Sequence, residues 1–206
     1  QPSLCGTPST VDKAEGYVVV SAKTLLRDVF GFKKFRPGQR EIIDAVASGE
    51  NVLAIMPTGG GKSLCFQLPA LLNDGLTVVI SPLIALMRDQ VRGLKAVGVA
   101  AGAITSGNTE EEVDQVFSQI ISGDLKLLYL APERLVSRKI QNILSSANVT
   151  SIAVDEAHCV SQWGHDFRPD YLGIGELRRK LCVPLSAFTA TADKETQQEI
   201  MQRLFE

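Results

Sequence analysis

An apolar run at residues 51–55 leads straight into Met56-Pro57-Thr58-Gly59-Gly60-Gly61-Lys62-Ser63, and residues 64–72 continue with the apolar spacing of a helix. A strand, a glycine loop and a helix in that order suit only a few layered folds. Successive glycines let the backbone take positive φ and approach a ligand closely, which builds a concave surface of N–H groups matched to a polyphosphate. A helix beginning near Lys62 aims its first N–H groups and its dipole at the same anion. In such a loop Thr58, Gly59, Gly60 and Gly61 wrap the phosphates, Lys62 reaches the outer phosphate oxygens, and the Ser63 hydroxyl is placed to ligate Mg²⁺. The usual pattern opens with Gly six residues before the Lys, whereas this chain has Met56 there. On the loop alone, an ordinary glycine-rich turn stays open.

Downstream, apolar β-branched runs alternate with amphipathic stretches of helical length. Strands are expected at 77–80, 100–105, 125–130, 151–154 and 185–190 besides 51–55, and helices at 84–96, 110–122, 132–145 and 193–205. Upstream, Ser21 is placed to cap a helix that Gly31 stops, and a second helix is expected over 37–47 with Pro37 in its first turn. Thr77-Val78-Val79-Ile80 and Ile152-Ala153-Val154 lack polar alternation, the mark of strands buried on both faces of a parallel sheet. The reading is an α/β fold with a mainly parallel sheet and helices on both faces. Ligands in such sheets bind beyond the carboxyl ends of the strands.

With 206 residues, the chain is long enough for one large core, and 45% hydrophobic and 21% charged residues describe a globular domain. A net charge of −2 gives no basic footprint, so any contact with nucleic acid has to come from local groups. Cys5, Cys65, Cys159 and Cys182 form no C-x-x-C pair, and His158 and His165 are not spaced with them as zinc ligands. Reduced thiols and no zinc are therefore expected. No secretion signal opens the chain, and no apolar run approaches the roughly 20 residues that span a bilayer. The expected compartment is the cytoplasm, at the nucleoid in a bacterium, or the nucleus in a eukaryote. Residues 1–20 read as a poorly ordered arm and 21–206 as one domain, and a start on Gln1 reads as a piece of a longer protein.

A second chemical stretch is Ile152-Ala153-Val154-Asp155-Glu156-Ala157-His158, an apolar strand ending in two carboxylates. A hydrolytic NTPase needs one carboxylate against hydrated Mg²⁺ and another group to orient the attacking water. Asp155 suits the first role and Glu156 the second, although a strand ending in Asp-Glu is more often a solvated turn. The next residues, Cys159-Val160-Ser161-Gln162-Trp163-Gly164-His165-Asp166-Phe167-Arg168-Pro169, are too polar for a core strand. An exposed loop around Trp163 is the better reading.

Together, the glycine loop, Asp155-Glu156-Ala157-His158 and the Trp163 loop resemble the RecQ-type DNA helicases of superfamily 2. The likeness extends from Phe30 to the end of the chain. Phe35-Arg36-Pro37-Gly38-Gln39, Ser81-Pro82-Leu83-Ile84-Ala85-Leu86-Met87-Arg88-Asp89-Gln90, Tyr129-Leu130-Ala131-Pro132-Glu133-Arg134-Leu135 and Phe188-Thr189-Ala190-Thr191-Ala192 match further motifs of that family. Met at position 56 is acceptable there. The resemblance implies the N-terminal RecA-like lobe of an ATP-dependent 3′-to-5′ DNA helicase of recombination and repair, with ATP and Mg²⁺ as ligands. It implies that Gln39 reads the adenine edge, with Arg36 and Phe32 around the base. Lys62, Asp155, Glu156 and His158 take the catalytic roles, and Ser63 and Asp155 hold the metal.

The resemblance also implies that Trp163, Phe167 and Arg168 couple single-stranded DNA to hydrolysis. Bases stack on aromatic faces whatever their sequence, for roughly 1 to 3 kcal/mol each. Ser81 and Arg88 would hold DNA phosphates, contacts that read no sequence. Thr189 and Thr191 would link the nucleotide site to DNA, though by the residues alone they equally well end a strand. A second lobe of the same protein is implied as partner, carrying the arginines that stabilise the transferring phosphate, so residues 1–206 alone would not unwind DNA. Two other classes stay open on the residues: a DNA-binding or nucleotide-switch module without turnover, and a small-molecule kinase. A kinase would need neither the Trp163 loop nor Gln39 upstream of the glycines.

Overall fold

The computed structural model describes residues 20–59, 61–190 and 193–206. The expected N-terminal arm, except for Val20, lies outside the described residues, as do Gly60 and Thr191. Six strands, β1 (Val52–Ile55), β2 (Leu76–Ile80), β3 (Ala101–Ile104), β4 (Leu127–Leu130), β5 (Val149–Val154) and β6 (Leu185–Thr189), form one sheet in the order β1-β6-β5-β2-β4-β3. Every pairing in it is parallel. The helices are α1 (Ala22–Asp28), α2 (Gln39–Ala47), α3 (Leu64–Leu72), α4 (Ile84–Ala96), α5 (Glu110–Ser122), α6 (Arg138–Ser146), α7 (Ile174–Leu181) and α8 (Lys194–Ile200).

The two-residue period of the strands sorts their side chains into two cores, one on each face of the sheet. Val78, Ile80, Leu128, Leu130, Ile152, Val154, Leu185 and Ala187 pack with residues of α5, α6, α7 and α8. Their neighbours along the chain, Val79, Leu127, Tyr129, Ala153 and Phe188, pack with residues of α1, α2, α3 and α4. Strands buried on both faces have no room for polar alternation, which is why 77–80 and 152–154 read as continuous apolar runs.

Topology then places the chemistry. After β1 the chain passes to β2, on the far side of β6 and β5, and returns last to β6, which fills the gap beside β1. The carboxyl ends of β1, β6 and β5 are therefore neighbours, although they lie far apart in sequence. The helix expected over 132–145 is a 3-10 turn, Pro132–Val136, followed by α6, because Ser137 is extended and caps α6 by accepting the Ile140 N–H. The last helix ends in a π-helical turn, Met201–Phe205. Helix α7 was not expected. Its Gly175 sits where a Cβ would collide with the Arg203 carbonyl oxygen, so glycine allows α7 and the final turn to meet. Cys65 and Cys159 are free, as expected, and are buried, whereas Cys182 is disulfide-bonded, against the expectation of a reduced thiol. Among the described residues no helix is long and apolar enough to cross a membrane.

Candidate nucleotide and nucleic-acid site

The glycine loop leaves the end of β1 and enters α3. The Met56 N–H donates to the Thr189 carbonyl at 2.9 Å, so the stem of the loop is tied to the end of β6. The Met56 side chain is buried in the core between α3 and the sheet, with its sulfur 4.0 Å from Cys65 Sγ. An apolar side chain at the position where glycine is usual thus serves packing. Gly59 and Gly61 have φ of 80° and 78°, the left-handed region the loop reading requires. At Gly61 a Cβ would also strike the side-chain amide nitrogen of Gln39.

Gln39, in the first turn of α2, is buried and holds this loop. Its Nε2 donates to the Gly61 carbonyl at 3.1 Å, and its Oε1 accepts the Arg36 N–H at 2.7 Å. The Arg36 guanidinium donates to the Gly59 carbonyl. The segment expected to surround a base therefore also clamps the phosphate loop, a contact that sequence spacing alone does not reveal. Phe32 is 51% exposed. Thr58 is exposed on the loop, and Ser63, the N-cap of α3, makes no capping bond with its hydroxyl.

Across from the loop, Asp155 continues β5 by donating its N–H to the Ile80 carbonyl at 2.9 Å. Its carboxylate is buried and accepts the Glu156 N–H at 3.0 Å. Burial, and then the neighbouring Glu156 charge, push its pKa above the usual carboxylate value, while Lys62 and His158 act in the opposite direction. Tyr171 supports the same turn by donating its hydroxyl to the Asp155 carbonyl at 2.9 Å. Glu156 is left-handed, at φ 51°, a conformation that costs a residue with a Cβ about 1 to 3 kcal/mol. Its carboxylate faces the glycine loop, where Oε1 lies 3.9 Å from Lys62 Nζ.

His158 completes the connection. Its Nδ1 is 2.9 Å from Thr189 Oγ1 and 3.5 Å from Glu156 Oε2, and its Nε2 is 3.7 Å from Asp166 Oδ2 in the following loop. A run of polar contacts thus leads from Lys62 through Glu156 and His158 to the segment holding Trp163. That segment is anchored at its start by Glu199 of α8, which accepts both the Ser161 hydroxyl at 2.8 Å and the Gln162 N–H at 3.1 Å. At its end the Arg168 N–H donates to the Cys159 carbonyl at 2.8 Å. Trp163 is 80% exposed, which removes the alternative of a core tryptophan, and Phe167 and Arg168 are half-buried beside it.

Two expected contacts are arranged differently. Ser81 is only 2% exposed and its hydroxyl is buried without a partner among the described residues, so in this conformation it cannot touch a DNA phosphate. Its position at the end of β2, in the middle of the sheet, explains the burial. Arg88 is exposed on α4, but its guanidinium donates to the Gly107 carbonyl at 2.8 Å and pins the β3–α5 turn. The residues that support the site, Tyr171, Asp166 and Glu199, gave no sequence signal of their own. Only the fold brings Glu199 to Ser161.

A glycine loop after β1 and a carboxylate pair after β5, facing each other at the carboxyl edge of a parallel sheet with only β6 between them, define a nucleoside-triphosphate-binding lobe. The sequence profile of the DEAD/DEAH box helicases matches residues 36–200, and the chain belongs to that family. It is 50% identical to the ATP-dependent DNA helicase RecQ of Haemophilus influenzae over 185 residues, 89% of this chain and 30% of that protein. It is 49% identical to the RecQ of Pasteurella multocida over 199 residues, 95% of this chain and 31% of that protein. The chain thus spans under a third of the length of these relatives. The helicase domain of Pyrococcus furiosus Hef shares the fold, with a TM-score of 0.65 and 23% identity over 86% of this chain and 37% of that one.

Proposed function

We propose that residues 21–206 form the first RecA-like lobe of an ATP-dependent 3′-to-5′ DNA helicase of RecQ type, acting at chromosomal DNA in recombination and repair. The observation that carries this reading is the polar path from Lys62 through Glu156 and His158 to the loop of Trp163. It joins Lys62 of the glycine loop to the segment that carries an exposed aromatic ring. A small-molecule kinase has no use for such a connection.

On this reading Lys62 exchanges Glu156 for the outer phosphates of ATP, and Glu156, released from the ammonium, orients the attacking water. Mg²⁺ fits the donor set, because Asp155 is a buried carboxylate whose charge needs a cation and the Ser63 hydroxyl is not consumed in capping. When bound, the metal neutralises charge on the phosphates. The Gln39 amide has one N–H and one lone pair still unused, and an outward movement of this buried side chain would bring them to adenine. Trp163, Phe167 and Arg168 receive single-stranded DNA by stacking and charge. Unwinding needs a second lobe closing on the same ATP, so this lobe alone binds but does not unwind.

The test uses a protein carrying both lobes. Trp163→Ala should leave basal ATP hydrolysis near its unmodified rate and depress its stimulation by single-stranded DNA, because only a stacking surface is removed. Equal loss of both activities would show the loop to be structural and would remove the DNA assignment.

A further inference from the structure

His158 and Cys159 lie in the short 3-10 turn after β5, and Asp166 comes back over them from the Trp163 loop. Sequence spacing hides these three as a set, since two are adjacent and the third is a carboxylate. In the fold their ligand atoms all lie within 4.8 Å of one another. Cys159 Sγ is 3.6 Å from Asp166 Oδ2, and His158 Nε2 is 3.7 Å from the same oxygen. A tetrahedral Zn²⁺, with Zn–S of about 2.3 Å and Zn–N or Zn–O of about 2.0 to 2.2 Å, holds its ligands about 3.3 to 3.5 Å apart. The two separations from Asp166 exceed that by a few tenths of an ångström, and the third, between Cys159 Sγ and the His158 imidazole nitrogen, is within 4.8 Å, so both side chains have to rotate toward Asp166 to close the set.

The imidazole is already oriented for such a role. Its Nδ1 is engaged by Thr189 Oγ1 at 2.9 Å, which fixes the ring and turns Nε2 toward Asp166. Outer partners position metal-binding histidines in this way. Access is from the loop side, where the Asp166 side chain is 45% exposed. A thiolate, an imidazole and a carboxylate together favour Zn²⁺ over Mg²⁺ or Ca²⁺, which take oxygen donors alone.

We propose that His158, Cys159 and Asp166 form a Zn²⁺ site, with water in the fourth position, that fastens the Trp163 loop to the turn bearing Glu156. This replaces the expectation of no zinc. On binding, Zn–S, Zn–N and Zn–O bonds form, the Cys159 thiol proton passes to solvent, and no group changes oxidation state. In the metal-free protein that thiol donates to Asp166, so Zn²⁺ takes over a hydrogen bond already aimed correctly. If the function proposed above holds, a fastened loop responds less to DNA, and Zn²⁺ inhibits. Binding itself does not depend on that reading.

The test is a titration of the chain with Co²⁺, a spectroscopic stand-in for Zn²⁺. One equivalent should produce a thiolate-to-cobalt charge-transfer band in the near ultraviolet and strong tetrahedral visible bands, both erased by Zn²⁺. Cys159→Ser should abolish the charge-transfer band, and Asp166→Asn should weaken binding at least about tenfold. Cys65→Ser, which alters the other buried free thiol, should change neither. Absence of a thiolate band at one equivalent, or a band that survives Cys159→Ser, overturns the site. Should Cys159→Ser fail to fold, undiminished Co²⁺ affinity in Asp166→Asn, a change at a half-exposed residue, overturns it equally. None of these readouts involves ATP or DNA, so they separate the metal site from the helicase reading.

Discussion

Lys62 Nζ lies 3.9 Å from Glu156 Oε1, across the gap between the glycine loop and the end of β5. On the function proposed above, the ammonium that meets phosphate and the carboxylate that orients water face each other, and ATP would have to separate them.

Glu156→Gln should therefore separate binding from turnover. The amide retains size and hydrogen bonding but releases Lys62, so the Kd for ATP should stay level or fall. Hydrolysis in the two-lobed protein should drop by about 10² or more, the scale of a lost general base. Lys62→Ala should instead weaken ATP binding itself. Isothermal titration beside a phosphate-release assay distinguishes the two, and near-normal turnover in Glu156→Gln would remove that residue from the chemistry.

Gly61 and Gln39 form a pair that a double-mutant cycle can resolve. Gly61→Ala forces a Cβ into the left-handed region, a cost of about 1 to 2 kcal/mol, and drives it against the Gln39 amide. In a Gln39→Ala background the collision disappears and only the backbone cost remains, so the same substitution should be milder there. Additive effects on thermal stability would show that the contact carries no energy. Gln39→Ala alone should narrow the preference for ATP over GTP, measured as a ratio of dissociation constants.

Phe188 tests the core beneath the site. It is fully buried in β6, meets Phe66 of α3 edge-on at 5.5 Å between ring centroids, and directly precedes Thr189. Phe188→Ala should cost about 3 to 5 kcal/mol in urea unfolding. Phe188→Leu should recover part of that loss, whereas a cost below 1 kcal/mol would mean the sheet and α3 are not packed as described.

The cap of α8 should make stability depend on pH. Asp193 accepts the Thr196 N–H at 2.8 Å, and this bond, with that to the Thr196 side chain, lowers its pKa below the usual carboxylate value. A depressed folded-state pKa contributes stability that is present above the ordinary carboxylate pKa and is lost as pH falls through the lowered one. Asp193→Ala should thus lower the melting temperature at pH 7, with the gap to the unmodified chain closing on acidification through that range. A gap independent of pH would assign the effect to something other than the charged cap.

Much of this architecture was legible in the sequence, because buried parallel strands must be apolar on both faces and the glycine loop needs the conformations it adopts. All six strands and the helices of the first half fall where periodicity places them. Helix α7 escaped notice because it is short, holds Gly175, and meets the backbone of Arg203, which is distant in sequence. The phosphate loop and the carboxylates were visible as motifs, since their chemistry is local. The double duty of Gln39, the burial of Ser81 and the anchor at Glu199 are products of the tertiary fold, and the gathering of Cys159 with Asp166 is a product of how the loop after β5 folds back on itself. No spacing along the chain encodes them.

If Glu156 and Asp155 act as proposed, the left-handed backbone of the first and the buried carboxylate of the second set heat resistance against activity. Glycine at 156 would relax the turn, and asparagine at 155 would remove a charge that burial opposes. Variants recovered from a library by survival of heating alone should therefore be enriched in both changes, and those survivors should be catalytically dead. The stretch least suited to a durable protein is the one that selection for work has to retain.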